Sequence, residues 1–135
     1  MADLKDLFQT ADWKTEKHVP AITVSEEIKK GEAIKITVTV GKEIAHPNTT
    51  EHHISWMEVY FLADGEKFPY QIGRFEFSAH GASVQGPNTS TVYTPPEVIC
   101  YLKTEKSGVV FTSAYCNIHG IWQGAQRIDL SLIHI

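Results

Sequence analysis

The sequence predicts an all-β protein: an antiparallel β-sandwich of the immunoglobulin type, preceded by a short N-terminal helical turn. Apolar and polar residues alternate with a period of two over residues 34–40, which is typical of a half-buried strand. Further short apolar segments are separated by turns rich in Gly, Pro and Asn. The chain lacks a long segment with the 3.6-residue period of a helix, and this combination favours a sandwich.

Two elements show different apolar patterns. Leu4, Leu7 and Phe8 fall on one side of a helical turn, which we predict over residues 3–9. Residues 54–62 (ISWMEVYFL) are apolar on both faces. A strand of this kind is expected to be covered on two sides or to lie at a subunit contact.

The later strands are predicted from changes of phase and from turns. In residues 70–79 the alternation changes phase around Gly73, which indicates a β-bulge. Residues 97–104 and 109–116 are predicted to form a further strand pair joined by a turn at 106–108.

Length and charge limit the possible classes of protein. The chain has 135 residues, which predicts a single domain over residues 1–135. Its 12 basic and 16 acidic residues give a net charge of −4, without a basic stripe for nucleic acid or a polybasic membrane patch. No apolar segment approaches the roughly 18 residues of a membrane span, and residues 1–14 lack the pattern of a secretory signal. We therefore expect a cytoplasmic protein.

The two cysteines are predicted to be unpaired, because a reducing cytosol disfavours disulfides. Cys100 is in phase with Val98 and Leu102 and is interpreted as a small buried hydrophobic residue. Cys116 lies in a metal-type neighbourhood three residues before His119.

Five potential metal ligands occur in three separate segments of the chain. Structural zinc takes four ligands, and catalytic zinc usually takes three with a water molecule. Four neutral imidazoles with one thiolate instead suit a redox-active iron with one position left open. The five residues are His18, His46, His52, Cys116 and His119.

The same three segments carry a family resemblance. They read EKHVP (16–20), GKEIAHPNTTEHH (41–53) and CNIHGIW (116–122). In this order they resemble the superoxide reductase family, in particular the one-iron neelaredoxins. Ala45 stands where relatives usually have proline, and the tail SLIHI (131–135) departs from the family pattern, so no family role is assigned to it.

The resemblance implies a superoxide reductase, which reduces superoxide to hydrogen peroxide at a mononuclear non-haem iron held by the five residues. It also implies that Glu16 binds the oxidised iron only, and that Lys17 lies on a mobile loop near the open position. A rubredoxin-like protein is the implied electron donor, because the N-terminal region contains no Cys-X-X-Cys for a second iron site. A homo-oligomer, a tetramer in relatives, is also implied.

Two other functions are compatible with the residue types. The first is a binding module without catalysis, an immunoglobulin-like sandwich stapled by zinc through Cys116, His119 and two other histidines. Colour distinguishes it, because zinc proteins are colourless and ferric thiolate absorbs visible light. The second is superoxide dismutation, which a glutamate such as Glu16 closing the ferric site argues against.

The remaining histidines receive other interpretations. His53 follows a predicted ligand and points to the opposite face of an extended chain, so it is expected to form hydrogen bonds. His80 lies in a loop flanked by glycine and is interpreted as supporting the site from outside the ligand set. His134 is expected to be solvent-exposed, and Trp122 is expected to cover the site.

Overall fold

A computed structural model describes residues 3–25 and 28–130, which form two antiparallel sheets around a shared hydrophobic core. The all-β prediction is confirmed, and a 3-10 helix at Leu4–Leu7 corresponds to the predicted helical turn. The tail 131–135, with His134, lies outside the described residues. The strands are β1 (Pro20–Val24), β2 (Ile34–Val40), β3 (Ile54–Ala63), β4 (Tyr70–Glu76), β5 (Glu97–Leu102), β6 (Gly108–Cys116) and β7 (Gly120–Ile128).

The core lies between a three-stranded sheet, in the order β1-β2-β5, and a four-stranded sheet, in the order β4-β3-β6-β7. Strand β2 buries alternate residues, as its sequence period predicts. On β3 the core face carries Met57, Val59 and Phe61, all buried. Both sheets therefore bury an apolar face against each other, as in a β-sandwich.

The predicted bulge near Gly73 is confirmed. Val59 of β3 lies opposite Gly73, whereas the next residue, Tyr60, lies opposite Gln71. Ile72 is therefore the additional residue of the bulge, which explains why the apolar period changes phase at this point.

The predicted pairing of residues 97–104 with 109–116 is wrong. Strand β5 pairs with β2, whereas β6 pairs with β3 on one side and with β7 on the other. Strand β6 is central in its sheet, and these two partners satisfy its backbone hydrogen bonds on both edges. The connection 103–107 therefore crosses from one sheet to the other instead of forming a hairpin.

Two strands that the sequence analysis did not identify, β1 and β7, complete the two sheets. The start of β1 lies beside the end of β2, since Pro20 is opposite Val40. The start of β3 lies beside the end of β6, since Ile54 is opposite Cys116. One end of the sandwich therefore gathers the segment before β1, the β2–β3 connection and the β6–β7 turn.

Within residues 3–25 and 28–130, the structure has no helix long and apolar enough to cross a membrane.

The hydroxyl of Thr112 offers a test of the packing in the four-stranded sheet. Its Oγ1 is buried and has no hydrogen-bond partner among the described residues. Thr112→Val removes this unpaired group at nearly constant shape, so we expect the free energy of unfolding to rise by about 1 kcal/mol. Chemical denaturation measures the change.

Thr94→Val is the matched control, because Oγ1 of Thr94 donates to the carbonyl oxygen of Ala79 at 2.9 Å. Losing this bond should lower the free energy of unfolding by about 1 kcal/mol. An equal loss of stability in both variants would show that the hydroxyl of Thr112 is also satisfied.

Candidate metal centre

Four of the five predicted ligands converge at the end of the sandwich described above. Their potential ligand atoms all lie within 4.8 Å of one another. His18 precedes β1, His52 precedes β3, Cys116 ends β6, and His119 lies in the turn that follows. The residues thus come from three distant segments of the chain, and strand pairing in both sheets brings them together.

The fifth predicted ligand, His46, lies beside this group. The centre of its ring is 4.9 Å from that of His18 and 4.8 Å from that of His52, in edge-to-face contacts. Its Nδ1 lies 2.6 Å from the carbonyl oxygen of Pro47, which can only accept a hydrogen bond. Nδ1 therefore carries the proton, and Nε2 keeps a free lone pair.

The free nitrogen atoms test whether the residues suit a metal. Nε2 of His46 and Nε2 of His52 are both buried, and neither has a hydrogen-bond partner among the described residues. Nε2 of His18 faces Nδ1 of His119 at 3.1 Å. A bound metal would satisfy all four nitrogens, and imidazole with thiolate is a donor set for transition metals. The residues therefore fit a metal ion.

Burial and nearby charge favour the neutral forms of His46 and His52. Burial lowers the pKa of His46 to about 4, and the charges of His18, His52 and Lys17 act in the same direction. Burial also lowers the pKa of His52, with further lowering by His119, His18 and Lys17. Because only neutral imidazole binds a metal, these lowered pKa values favour metal binding by His46 and His52 near neutral pH.

Cys116 is fully buried at the end of β6. Its Sγ accepts a hydrogen bond from the backbone N–H of His119 at 3.3 Å, and Nδ1 of the same histidine lies 3.7 Å away. A backbone donor directed at the sulfur stabilises the thiolate that metal binding requires.

Trp122 covers the site, as the sequence predicts, and it does so by stacking on His18. The two rings stack with their centres 4.8 Å apart and their planes 16° from parallel. The indole Nε1 donates to the carbonyl oxygen of His119 at 3.2 Å, so one side chain orients both segments.

Glu16 contacts the outer side of His18. One carboxylate oxygen lies 2.6 Å from Nδ1 of His18 and accepts from its backbone N–H at 3.0 Å. These hydrogen bonds lower the pKa of Glu16. The carboxylate lies outside the group of converging atoms, and binding of Glu16 to oxidised iron stays a prediction.

The loop that carries His46 and His52 is fastened on two sides. Asn117 accepts from the backbone N–H of His53 at 2.9 Å and donates to the carbonyl oxygen of Glu51 at 2.8 Å. Asn88 accepts from the backbone N–H of Thr50 at 2.9 Å. Sequence reasoning missed both asparagines, and the position of Asn117 between Cys116 and His119 was the available signal.

His53 faces away from the group, as the alternation of side chains along an extended chain predicts. Its Nδ1 lies 2.9 Å from the carbonyl oxygen of Thr49, and its ring stacks on that of His80. Cys100 is half-buried against the core on β5, rather than fully buried.

Comparisons with known proteins agree on one family. The family model described as Desulfoferrodoxin matches residues 10–125. The superoxide reductase of Pyrococcus furiosus is 56% identical over 126 residues, which cover 93% of this chain and 99% of the relative. The neelaredoxin of Megalodesulfovibrio gigas is 52% identical over 125 residues, which cover 93% and 96%. The reduced superoxide reductase (neelaredoxin) of Archaeoglobus fulgidus has a TM-score of 0.86 at 58% identity, covering 92% of this chain and 99% of that chain.

Gly41 controls the path of the loop that carries His46. Its φ is +84°, and an added Cβ would lie 2.6 Å from the backbone nitrogen of His46. Gly41→Ala should therefore destabilise the protein by more than the roughly 1–2 kcal/mol that a left-handed backbone costs, and should displace His46. Denaturation and metal titration measure the two effects.

The matched control is Gly65→Ala. Gly65 has a φ of +81°, but nothing lies within 4 Å of an added Cβ. Gly65→Ala should lose only the free energy of unfolding that a left-handed backbone costs, and it should bind metal as tightly as the wild-type protein. Equal effects of the two substitutions would show that the loop tolerates a Cβ at position 41.

Proposed function

The chain belongs to the desulfoferrodoxin family, and we propose that it is a single-domain superoxide reductase that holds one mononuclear non-haem iron. The observation that carries the proposal is the convergence of His18, His52, Cys116 and His119, with His46 beside them. These residues occur in a chain more than half identical to proteins named superoxide reductase and neelaredoxin.

The donor set supports iron over zinc. Four imidazoles and one thiolate exceed the four ligands of a structural zinc site, and the mixture of nitrogen and soft sulfur suits a redox-active metal. We assign His18, His46, His52, Cys116 and His119 as the iron ligands.

Superoxide becomes hydrogen peroxide by taking up one electron and two protons. When bound, iron supplies this electron. Lys17, the residue before His18, contributes a positive charge. This charge lies near enough to His46 and His52 to help lower the pKa values of both. Superoxide is an anion, so the positive charge of Lys17 attracts it toward the metal site.

Glu16 and Trp122 hold the ring of His18 in position. The carboxylate accepts from Nδ1, which leaves Nε2 directed at the other ligands. A carboxylate on the outer nitrogen of a metal-binding histidine fixes its tautomer and increases its basicity. Trp122 packs flat against the same ring and keeps water from that face.

The protein requires an external electron donor, for which we propose a rubredoxin-like protein. The resemblance to the superoxide reductase family implies such a donor. We place this reaction in the cytoplasm, as the sequence predicts.

We also propose a homo-oligomer, a tetramer by resemblance to the family. The outer face of the four-stranded sheet supports it. Trp56, Tyr60 and Leu62 of β3 line a groove there with Phe111 of β6 and Ile121 of β7. The three residues of β3 lie on the outward face of the strand whose two apolar faces predicted a subunit contact. A second copy of the chain would cover this groove.

Iron quantification and visible absorption test the central proposal through Cys116→Ser. The hydroxyl is a poor substitute for a soft thiolate, so we expect loss of the visible band and a large fall in superoxide reduction while the sandwich persists. Cys100→Ser is the control and should keep both. A colourless wild-type protein that binds zinc, or an unchanged band in Cys116→Ser, would contradict the assignment.

Lys17→Ala tests the attraction of the substrate. We expect the bimolecular rate constant with superoxide to fall by up to about 10-fold, with iron content and spectrum unchanged. Its dependence on salt should also weaken, because less attraction remains to be screened. Pulse radiolysis at several ionic strengths measures both quantities.

Lys67→Ala is the control, since Lys67 is exposed in the β3–β4 connection at the opposite end of the sandwich. Its rate constant should equal that of the wild type. If both variants react alike, Lys17 acts as an ordinary surface charge.

A further inference from the structure

His80 is a buried polar residue that lies outside the ligand group. It is 7% exposed, in the connection between β4 and β5. Its Nδ1 lies 2.7 Å from Oδ1 of Asn48, and its Nε2 lies 2.6 Å from the carbonyl oxygen of Phe77. The ring of His53 covers its face, with ring centres 3.6 Å apart and planes 4° from parallel. Hydrogen bonds and stacking therefore fix both the position and the rotation of the imidazole.

The partner of His80, Asn48, has a defined orientation. Its Nδ2 donates to the carbonyl oxygen of Thr94 at 3.1 Å, which directs Oδ1 at His80. Oδ1 of Asn48 and the carbonyl oxygen of Phe77 can both only accept, and a neutral imidazole has one N–H, so the hydrogen bond to Asn48 belongs to the tautomer of His80 that carries its proton on Nδ1. In this tautomer the imidazole is a donor that holds the amide of Asn48 in place.

Asn48 lies two residues after His46, in the same turn. Between them, the carbonyl oxygen of Pro47 lies 2.6 Å from Nδ1 of His46 and sets the direction of its free Nε2. The backbone of His80 also reaches this loop, since its carbonyl oxygen accepts from Oγ1 of Thr50 at 2.8 Å. His80 therefore contacts the loop at two points, on either side of Thr49.

We propose that His80 is a positioning residue of the metal site, which acts through Asn48 to hold the turn that directs Nε2 of His46 at the metal. This rests on the proposed function, because it concerns the same site. Burying a polar network is costly unless its hydrogen bonds are satisfied, and a satisfied network holds one arrangement of the chain. With the network intact, His46 meets the metal without having to reorder its loop.

Anaerobic chelator competition for iron(II) tests this role in the wild-type protein and in His80→Ala, Asn48→Ala and the double variant. Loss of an outer partner of a metal site typically weakens metal binding 10- to 100-fold, and we expect about 10-fold for His80→Ala. The double variant should bind about as weakly as Asn48→Ala alone, because the two residues act in series. Multiplied losses in the double variant would overturn the route through Asn48.

Two further variants separate the hydrogen bond from packing. His80→Gln keeps an N–H donor and should recover part of the affinity, whereas His80→Phe keeps the ring against His53 and should bind iron as weakly as His80→Ala. The visible band of the oxidised protein should shift in His80→Ala and His80→Phe. Wild-type affinity and an unshifted band in both variants would overturn the proposal.

Val110→Ala is the control for general loss of stability. Val110 is fully buried on β6, opposite Phe61 and toward the end of the sandwich away from the site. It should lower stability and leave iron affinity unchanged, and equal weakening in Val110→Ala and His80→Ala would overturn a specific role for His80. A wild-type protein that prefers zinc would overturn the proposed function instead, and the same titrations with zinc(II) would then decide the role of His80.

Discussion

The unpaired, buried nitrogen atoms of His46 and His52 constrain the rest of the structure. Each lies where water cannot reach it and has no hydrogen-bond partner among the described residues. Such a group costs about 1–3 kcal/mol unless something binds it. A metal ion removes this cost at both residues together, so metal binding and ordering of this end of the protein are coupled. Without a metal, the loop that carries both histidines is held by hydrogen bonds to residues outside it. These residues are Asn88, Asn117 and His80.

The strands of the sandwich fix the positions of the segments that carry the candidate ligands. His18 leads into the three-stranded sheet, whereas Cys116 ends a strand of the four-stranded sheet. The site therefore joins the two sheets at one end, in addition to the β2–β3 connection that runs between them there. Rigid strand ends fix the backbone, and hydrogen bonds fix the side chains. This division explains how residues from three distant segments reach one place with defined ring orientations.

Local signals in the sequence predicted several local features, but strands β1 and β7 were missed and β5 was given the wrong partner. Alternation predicted β2, the phase change at Gly73 predicted the bulge, and spacing predicted that His119 follows the end of a strand. Alternation does not specify which strand pairs with which. The sequence analysis therefore paired β5 with β6, whereas β6 is hydrogen-bonded to β3 on one edge and to β7 on the other. The stacking of Trp122 on His18 joins opposite ends of the chain, and only the strand pairing brings these residues together.

The charges near the site matter more to an approaching anion than the net charge of the whole chain. The net charge of −4 would repel superoxide, yet charges farther away than about 10 Å are largely screened in solution. The electrostatic attraction or repulsion of an approaching anion therefore depends mainly on the charged groups near the site. Lys17 lies close enough to His46 and His52 to lower the pKa values of both, whereas the carboxylate of Glu16 is engaged by two hydrogen bonds from His18. We propose that the lysine is the positive charge that the substrate encounters.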